Sequence, residues 1–469
     1  MTKTEFETFS ETLLNQLKNE NKDSLRTIEN NNKLIENYLN GQDLGYLKNF
    51  VNDFNDTVIE AQVKKYKLFE KVLNQKLFYN VIAEFRKSDV LIRACKEVNK
   101  KAVEWLLTMN IDPNVQDENG MTALMHAAEH ASTDFAVSKL LNEKSANMVD
   151  NNGNNVLIHA TNAPDILKKL LKSKISMNRL NNDGEDALLY SCRYDKIRAY
   201  EILIKEKNAN VNCSNCVGMT PAMYLVENAR YREVESLIKS GKVDPNYCNK
   251  FGNTFVSVYI KKYYQQYIGN IGETSYTSKY NYIVTKNYAL TFRVLIDMGC
   301  DFNKPIDVDG NTPIVALLMM KNYVSAKYLI DNCKNLDFSI KNKYGISGSS
   351  FIGLIDEKVF DAMEYNKTRN SSSISCKALV SAIGKHKTYE CDNKYAPENI
   401  ENGDVSKSLV NSYPIRPEIA KLAEQWVLEV LFPNAGAVIT LGNNSYNKDD
   451  PNSFGSLMTK NLTLGLGTY

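Results

Sequence analysis

The chain is 469 residues long, 43% hydrophobic and 24% charged, which is the composition of an ordinary folded protein. It carries 57 Lys and Arg against 55 Asp and Glu, a net charge near +2, so no global basic excess argues for nucleic acid or an anionic membrane as partner. No run approaches about 18 apolar residues, so no membrane span is expected, and the N-terminus MTKTEFETFSETLLNQ lacks the apolar core of a secretory signal. Nine scattered cysteines suit a reducing compartment, and the expected location is cytoplasmic or nuclear.

Residues 1–85 contain no proline and show helical spacing of apolar residues. Phe6, Phe9, Leu13, Leu14 and Leu17 fall on one face. Leu34, Ile35, Tyr38 and Leu39 form a second set, and Val58, Val63, Tyr66, Phe69, Val72 and Leu73 a third. Asn40-Gly41 marks a break between helices. This N-terminal region reads either as a helical cap over the open end of a downstream repeat array or as a coiled-coil or oligomerisation segment. Heptads are not sustained over the repeats a coiled coil needs.

A degenerate first repeat spans about Ser88 to Gln116 and places Trp105 in the core. From Asp117 the chain then repeats itself. DENGMTALMHAA is succeeded by DNNGNNVLIHAT from Asp150, NNDGEDALLYSC from Asn181, NCVGMTPAMYLV from Asn215, NKFGNTFVSVYI from Asn249 and DVDGNTPIVALL from Asp307. The glycines stand at 120, 153, 184, 218, 252, 310 and 345, with spacings of 33, 31, 34, 34, 58 and 35. One period holds throughout, with a single insertion, and a period of this size marks a solenoid. Within a repeat, Gly120 serves a turn that requires freedom from a Cβ and Thr122 caps the next helix. Leu124, Ala127 and Ala128 give that helix an apolar face, and Val137, Leu140 and Leu141 supply the second helix. No such unit buries its apolar face alone, so neighbours must stack.

These residues resemble the ankyrin repeat family, best in GMTALMHAA (Gly120–Ala128), GMTPAMYL (Gly218–Leu225) and GNTPIVAL (Gly310–Leu317). Repeat ends such as WLLTMNIDPNVQ from Trp105 and LIKSGKVDPNYC from Leu237 agree. The resemblance implies an all-α ankyrin-repeat solenoid of helix-turn-helix repeats with hairpin loops over 86–350. The family's histidine after Thr-Pro-Leu is replaced by Met125, Ile158, Leu189, Met223, Ser257 and Val315, whereas His126 and His159 fall one residue later. A thinner polar network between repeats is therefore expected, with more reliance on apolar stacking.

The insertion, at about 262–288, holds Tyr263, Tyr264, Tyr267, Tyr276, Tyr280, Tyr282 and Tyr288 together with Lys262, Lys279 and Lys286. It reads as an extended hairpin, as a protein contact or as a platform for single-stranded nucleic acid. After an eighth, incomplete copy at KNKYGISGSS, residues 351–432 read as degenerate repeats and a helical C-terminal cap. They include a linker at Ala396–Asn411 and an amphipathic helix at Arg416–Leu431. Residues 433–469 read as a flexible tail.

Catalytic patterns are weak. His126-Ala127-Ala128-Glu129-His130 matches H-x-x-E-H, but it lies within the repeat motif and has no third ligand in view. Cys213 and Cys216 form one C-x-x-C without the second ligand pair a zinc site needs. No phosphate loop, nucleophile elbow or kinase signature is present. The reading is therefore non-enzymatic, with no cofactor and no metal: a scaffold or adaptor that mediates protein–protein interactions with a partner of unknown identity. The alternatives are a regulatory subunit of a kinase, trafficking or transcription complex, or a nucleic-acid-associated factor. The resemblance places the binding surface on turn tips and first helices. Its expected residues are Met121, Asn154, Glu185 and Met219 beside the turns, and Glu129, His130, Arg193, Tyr194, Glu227, Asn228, Met319 and Met320 on the helices. Tyr276, Tyr280 and Tyr282 of the insertion join them.

Overall fold

The structure is a computed structural model. It describes residues 3–61, 66–173, 175–262, 279–319, 323–337, 339–348, 438–441 and 444–447. The chain separates into two compact units, Met1–Cys216 and Val217–Tyr469, and the cut falls inside the repeat array.

The first unit opens with helices α1 (Lys3–Lys18), α2 (Asp23–Asn30), α3 (Asn32–Tyr38), α4 (Leu44–Glu60), α5 (Lys67–Leu73) and α6 (Tyr79–Phe85). Their apolar stripes meet in an aromatic core. Phe54 stands edge-on to Phe69 at 5.7 Å and to Phe85 at 5.5 Å, geometries in which ring edges meet ring faces. The core continues into the first repeat, α7 (Val90–Lys96) and α8 (Lys100–Leu106). There Trp105 stacks on Tyr66 at 4.8 Å and 11°, and α4 packs on α7. The N-terminal helices are thus joined to the array by shared burial.

The repeats of the first unit continue as α9 (Ala123–Glu129) with α10 (Asp134–Leu140) and α11 (Glu143–Asn147), α12 (Val156–His159) with α13 (Pro164–Leu171), and α14 (Ala187–Arg193) with α15 (Ile197–Leu203). Helices of only four to eight residues are unstable alone and persist because neighbours bury their inner faces: α9 packs on α7, α10 and α12. The residue two after each turn glycine caps the first helix. Thr122 accepts from the Met125 amide at 3.3 Å, Asn155 from Ile158 at 3.1 Å and Asp186 from Leu189 at 2.8 Å, so each satisfies an amide that the helix leaves without a partner.

The second unit contains α16 (Pro221–Glu227), α17 (Tyr231–Lys239), α18 (Phe255–Lys262), α19 (Lys279–Asp297), α20 (Pro313–Met319) and α21 (Tyr323–Asn332). Pro221 begins α16 where no amide donor is needed. The end of the insertion is helical: residues 279–288 extend the second helix of their repeat into the 19-residue α19. The core of the insertion, 263–278, lies outside the described residues, as do the Ala396–Asn411 linker and the Arg416–Leu431 helix. Within the segment read as a tail, β1 (Val438–Leu441) and β2 (Asn444–Asn447) form an antiparallel hairpin.

Each turn is built from one Asp or Asn and one Gly. The Asp150 carboxylate accepts from the amides of Asn152 at 2.9 Å and Asn154 at 2.8 Å. Asp117, Asn181, Asn249, Asp307 and Asn342 repeat the pattern. Three residues on, Gly153 sits at φ +79°, and a Cβ there would come within 2.9 Å of the Asn182 amide of the next turn. Gly252 has the same φ but nothing within 4 Å. Gly153→Ala is therefore expected to destabilise the protein by about 2–3 kcal/mol, from strain plus collision. Gly252→Ala is expected to cost about 1 kcal/mol from the backbone alone. Equal midpoint shifts in urea would contradict this account of the turn.

Candidate interaction face

Neighbouring turns are stitched along their tips. Asn151 donates its amide to the Asn119 carbonyl, Asn182 to Asn152 and Cys216 to Asp183, each at 2.9 Å. Side-chain amides add Asn151 to the Glu118 carbonyl at 2.8 Å and Asn182 to the Asn151 carbonyl at 3.0 Å. Polar linkage between repeats, expected to be thin because the histidine after Thr-Pro-Leu is missing, runs instead through turn asparagines and through the histidines one place later.

Those histidines join first helices to turns. His126 Nε2 lies 2.9 Å from Asp117, His159 Nε2 lies 3.1 Å from Asp150, and His159 Nδ1 lies 3.0 Å from Glu129 on the preceding repeat. Burial alone would raise the carboxylate pKa values and lower that of His159. The hydrogen bonds and charges between them prevail: Asp117, Glu129 and Asp150 sit below the ordinary carboxylate range, and His159 is lifted to about 9.

In the next repeat Arg193 bridges Asp183 at 2.8 Å and Glu185 at 2.9 Å, and its guanidinium lies 5.2 Å from the centre of the Tyr194 ring. Tyr194 is 47% exposed and packs on Tyr190 with ring centres 4.4 Å apart. In the second unit Lys262 pairs with Glu227 at 2.9 Å, and the Tyr288 hydroxyl donates to the Glu227 carbonyl at 2.8 Å.

The sequence-derived positions therefore divide. Glu185, expected to be exposed beside its turn, is fully buried. Its carboxylate turns inward to accept from Arg193 and from Asn215 at 2.9 Å. Asn154 is half-buried and committed to Asp150 and Asn181. Met121, Glu129, Arg193, Met219, Glu227 and Asn228 are half-buried, whereas His130 and Tyr194 are exposed. Tyr280 lies within α19, and so does Tyr282. Tyr276 and Met320 lie outside the described residues, and Met319 closes α20.

Composition gave no hint of a row of apolar residues at the turn tips of the second unit. Val217 is 54%, Phe251 58% and Val308 90% exposed, with Lys250 5.1 Å from the Phe251 ring centre. The available signal was positional: each stands one or two residues before a turn glycine, where the first unit carries Asn119, Asn152 and Asp183.

The catalytic readings find little support in the geometry. His126 and His159 face carboxylates, and His130 faces solvent. Burial first, and then the Asp186 carboxylate, push the Cys213 thiol well above its ordinary value, away from the thiolate that metal ligation or nucleophilic attack requires. Among the described residues no group of three His, Cys, Asp or Glu is placed to hold a metal ion, and no helix is long and apolar enough to cross a membrane.

A family model described as ankyrin repeats, in three copies, matches residues 91–181 and 161–249. This part of the chain is an ankyrin-repeat array. Among solved structures, the ankyrin repeat domain of Bcl-3, described as a member of the IkappaB protein family, is similar at 18% identity. The match covers 48% of this chain and 92% of that one, with a TM-score of 0.36. A chain of the complex between a predatory endopeptidase of Bdellovibrio bacteriovorus and an immunity protein is similar at 29% identity, over 37% of this chain and 91% of that one, with a TM-score of 0.32. No curated protein matches.

The buried charges have two measurable consequences. A group with a raised pKa stabilises the fold fully below its unfolded value, about 6.5 for His, and ceases to do so as pH rises through its folded value, about 9 for His159. The melting temperature should therefore fall between about pH 6.5 and 9, and His159→Gln should flatten that slope. Separately, Arg193→Met leaves Glu185 buried with one partner fewer and should cost about 2–4 kcal/mol. Adding Glu185→Gln should recover most of it in a double-mutant cycle, whereas additive losses would contradict the pairing.

Proposed function

We propose that the chain is a non-catalytic scaffold or adaptor whose turn tips and first helices bind a protein partner. The observation that carries this reading is the exposed apolar row at Val217, Phe251 and Val308. One edge of the Phe251 ring lies over Gly218 of the neighbouring turn, but most of the ring and the Val217 and Val308 side chains stay in solvent, and such apolar surface suits a partner. In the first unit, Tyr194 over Arg193 adds an exposed aromatic and cationic contact of the type enriched at interfaces, and His130 is exposed at the end of α9. Ankyrin repeats are in general a protein-interaction fold, which supports the same reading. A regulatory subunit of a larger complex is the same mechanism with a catalytic partner. The seven described cysteines are free thiols, in keeping with a reducing compartment such as the cytoplasm or nucleus.

The test is affinity capture of the full chain from its native cells with quantitative mass spectrometry, beside a Phe251→Asp/Val308→Asp variant. Both side chains are largely exposed, so the variant should stay folded, with at most a small melting shift from the lost ring contact over Gly218. A stoichiometric partner should be retained by the wild type and reduced at least about tenfold in the variant, as expected for loss of an interface anchor. A partner held equally by both would move the surface elsewhere, and no stoichiometric partner would end the adaptor reading.

A further inference from the structure

The N-terminal helices carry a second site, independent of the repeats. A cavity of about 400 Å³ opens between α1 and the start of α4, within the size range of small-ligand pockets. One wall is aromatic. Phe6 meets Tyr46 edge-on at 5.8 Å, and Tyr38, stacked on Phe6 at 4.9 Å, holds that ring in place. The opposing rim is acidic: Glu7, Glu11, Asp43 and Asp53 all line the cavity, and no lining residue is basic. Asp43 is fixed by its cap on α4, accepting from the Gly45 amide at 2.9 Å, while Glu11, Asp43 and Asp53 form no ion pair among the described residues. Burial, and then the charge of Asp56, push the Asp53 carboxyl above its ordinary value.

Inside the cavity is a polar group that the fold does not use. Ser10 lines it and is only 7% exposed, yet its hydroxyl has no hydrogen-bond partner among the described residues. A helical serine normally bonds back to its own helix, and this one opens on the cavity instead. This hydroxyl can accept from a donor that enters the cavity.

We propose that this cavity receives an organic cation, the ammonium of a lysine side chain or polyamine or the guanidinium of an arginine. The carboxylates supply the counter-charge, the Phe6 and Tyr46 rings supply a surface that attracts cations, and Ser10 accepts one of the donor N–H groups. Neutral or anionic ligands lack a partner for the acidic rim.

The experiment is titration calorimetry on the full chain with a tetralysine peptide, a tetraarginine peptide and spermidine, and with a tetraglutamate peptide as control. At least one cation should bind in low salt and weaken as salt is raised. Glu11→Gln/Asp53→Asn should weaken it at least about tenfold, and Ser10→Ala more modestly. A control pair, Glu29→Gln/Glu36→Gln, removes the same charge from exposed positions of α2 and α3 outside the cavity and should change affinity less than about twofold. Peptide binding without spermidine binding would identify a protein-borne cation, and spermidine that displaces the peptide would identify a free polyamine as a competing occupant. Equal weakening by both double variants, or no binding by any cation, would overturn the proposal. The repeat-surface variant Phe251→Asp/Val308→Asp leaves this site intact, so the two readings fail independently.

Discussion

The turn between repeats depends on one small arrangement, an Asp or Asn oxygen that captures two backbone amides, with a glycine at positive φ just after it. The captured amides would otherwise be unpaired at a place where no helix or strand can receive them. Because the side chain holds the turn closed, the glycine can face the next turn without a Cβ in the way, and the tip of one repeat donates to the tip of its neighbour. Gly120 against Asn151 and Gly153 against Asn182 show the arrangement at its tightest, with no room for a methyl group. Helices as short as α12 depend on this registry, since stacking supplies the burial they lack alone.

Charge in the first unit is arranged by the same registry. The turn carboxylates Asp117 and Asp150 each face a histidine six residues beyond the turn glycine, and His159 reaches back to Glu129. These groups are largely buried, and for His159 the pairing stabilises the array only while the imidazole keeps its charge. Arg193 and Glu185 form the corresponding link one repeat later. Half-buried charges that look available for binding are thereby committed to structure, whereas Tyr194, His130 and the apolar tips of the second unit remain exposed. The family match covers residues 91–249, and the Phe6–Tyr46 cavity lies before it, among helices whose aromatic core continues into the first repeat.

How much of this was legible beforehand differs by feature. The glycine period and the capping position two residues later were plain in the sequence, because each residue type answers a local backbone requirement. The Asp or Asn that opens every copy was equally visible as a letter, and its role is set by local geometry once the turn is known. Glu185 could not be placed: at the same step of the repeat stand Met121, Asn154 and Met219, and only the position of Asn215 and Arg193 in space turns that one side chain inward. His159 likewise owes its raised pKa to Asp150 in its own turn and to Glu129, 30 residues away.

The sequence by itself determined the repeat, its period, its turns and the apolar faces that must stack, since these are set by requirements within a few residues. Tertiary structure alone decided which polar side chains are consumed between repeats, which apolar tips stay exposed, and that Ser10 opens into an acidic, aromatic-walled cavity. Burial, pairing and exposure are properties of neighbours brought together by folding, and no local pattern along the chain encodes them.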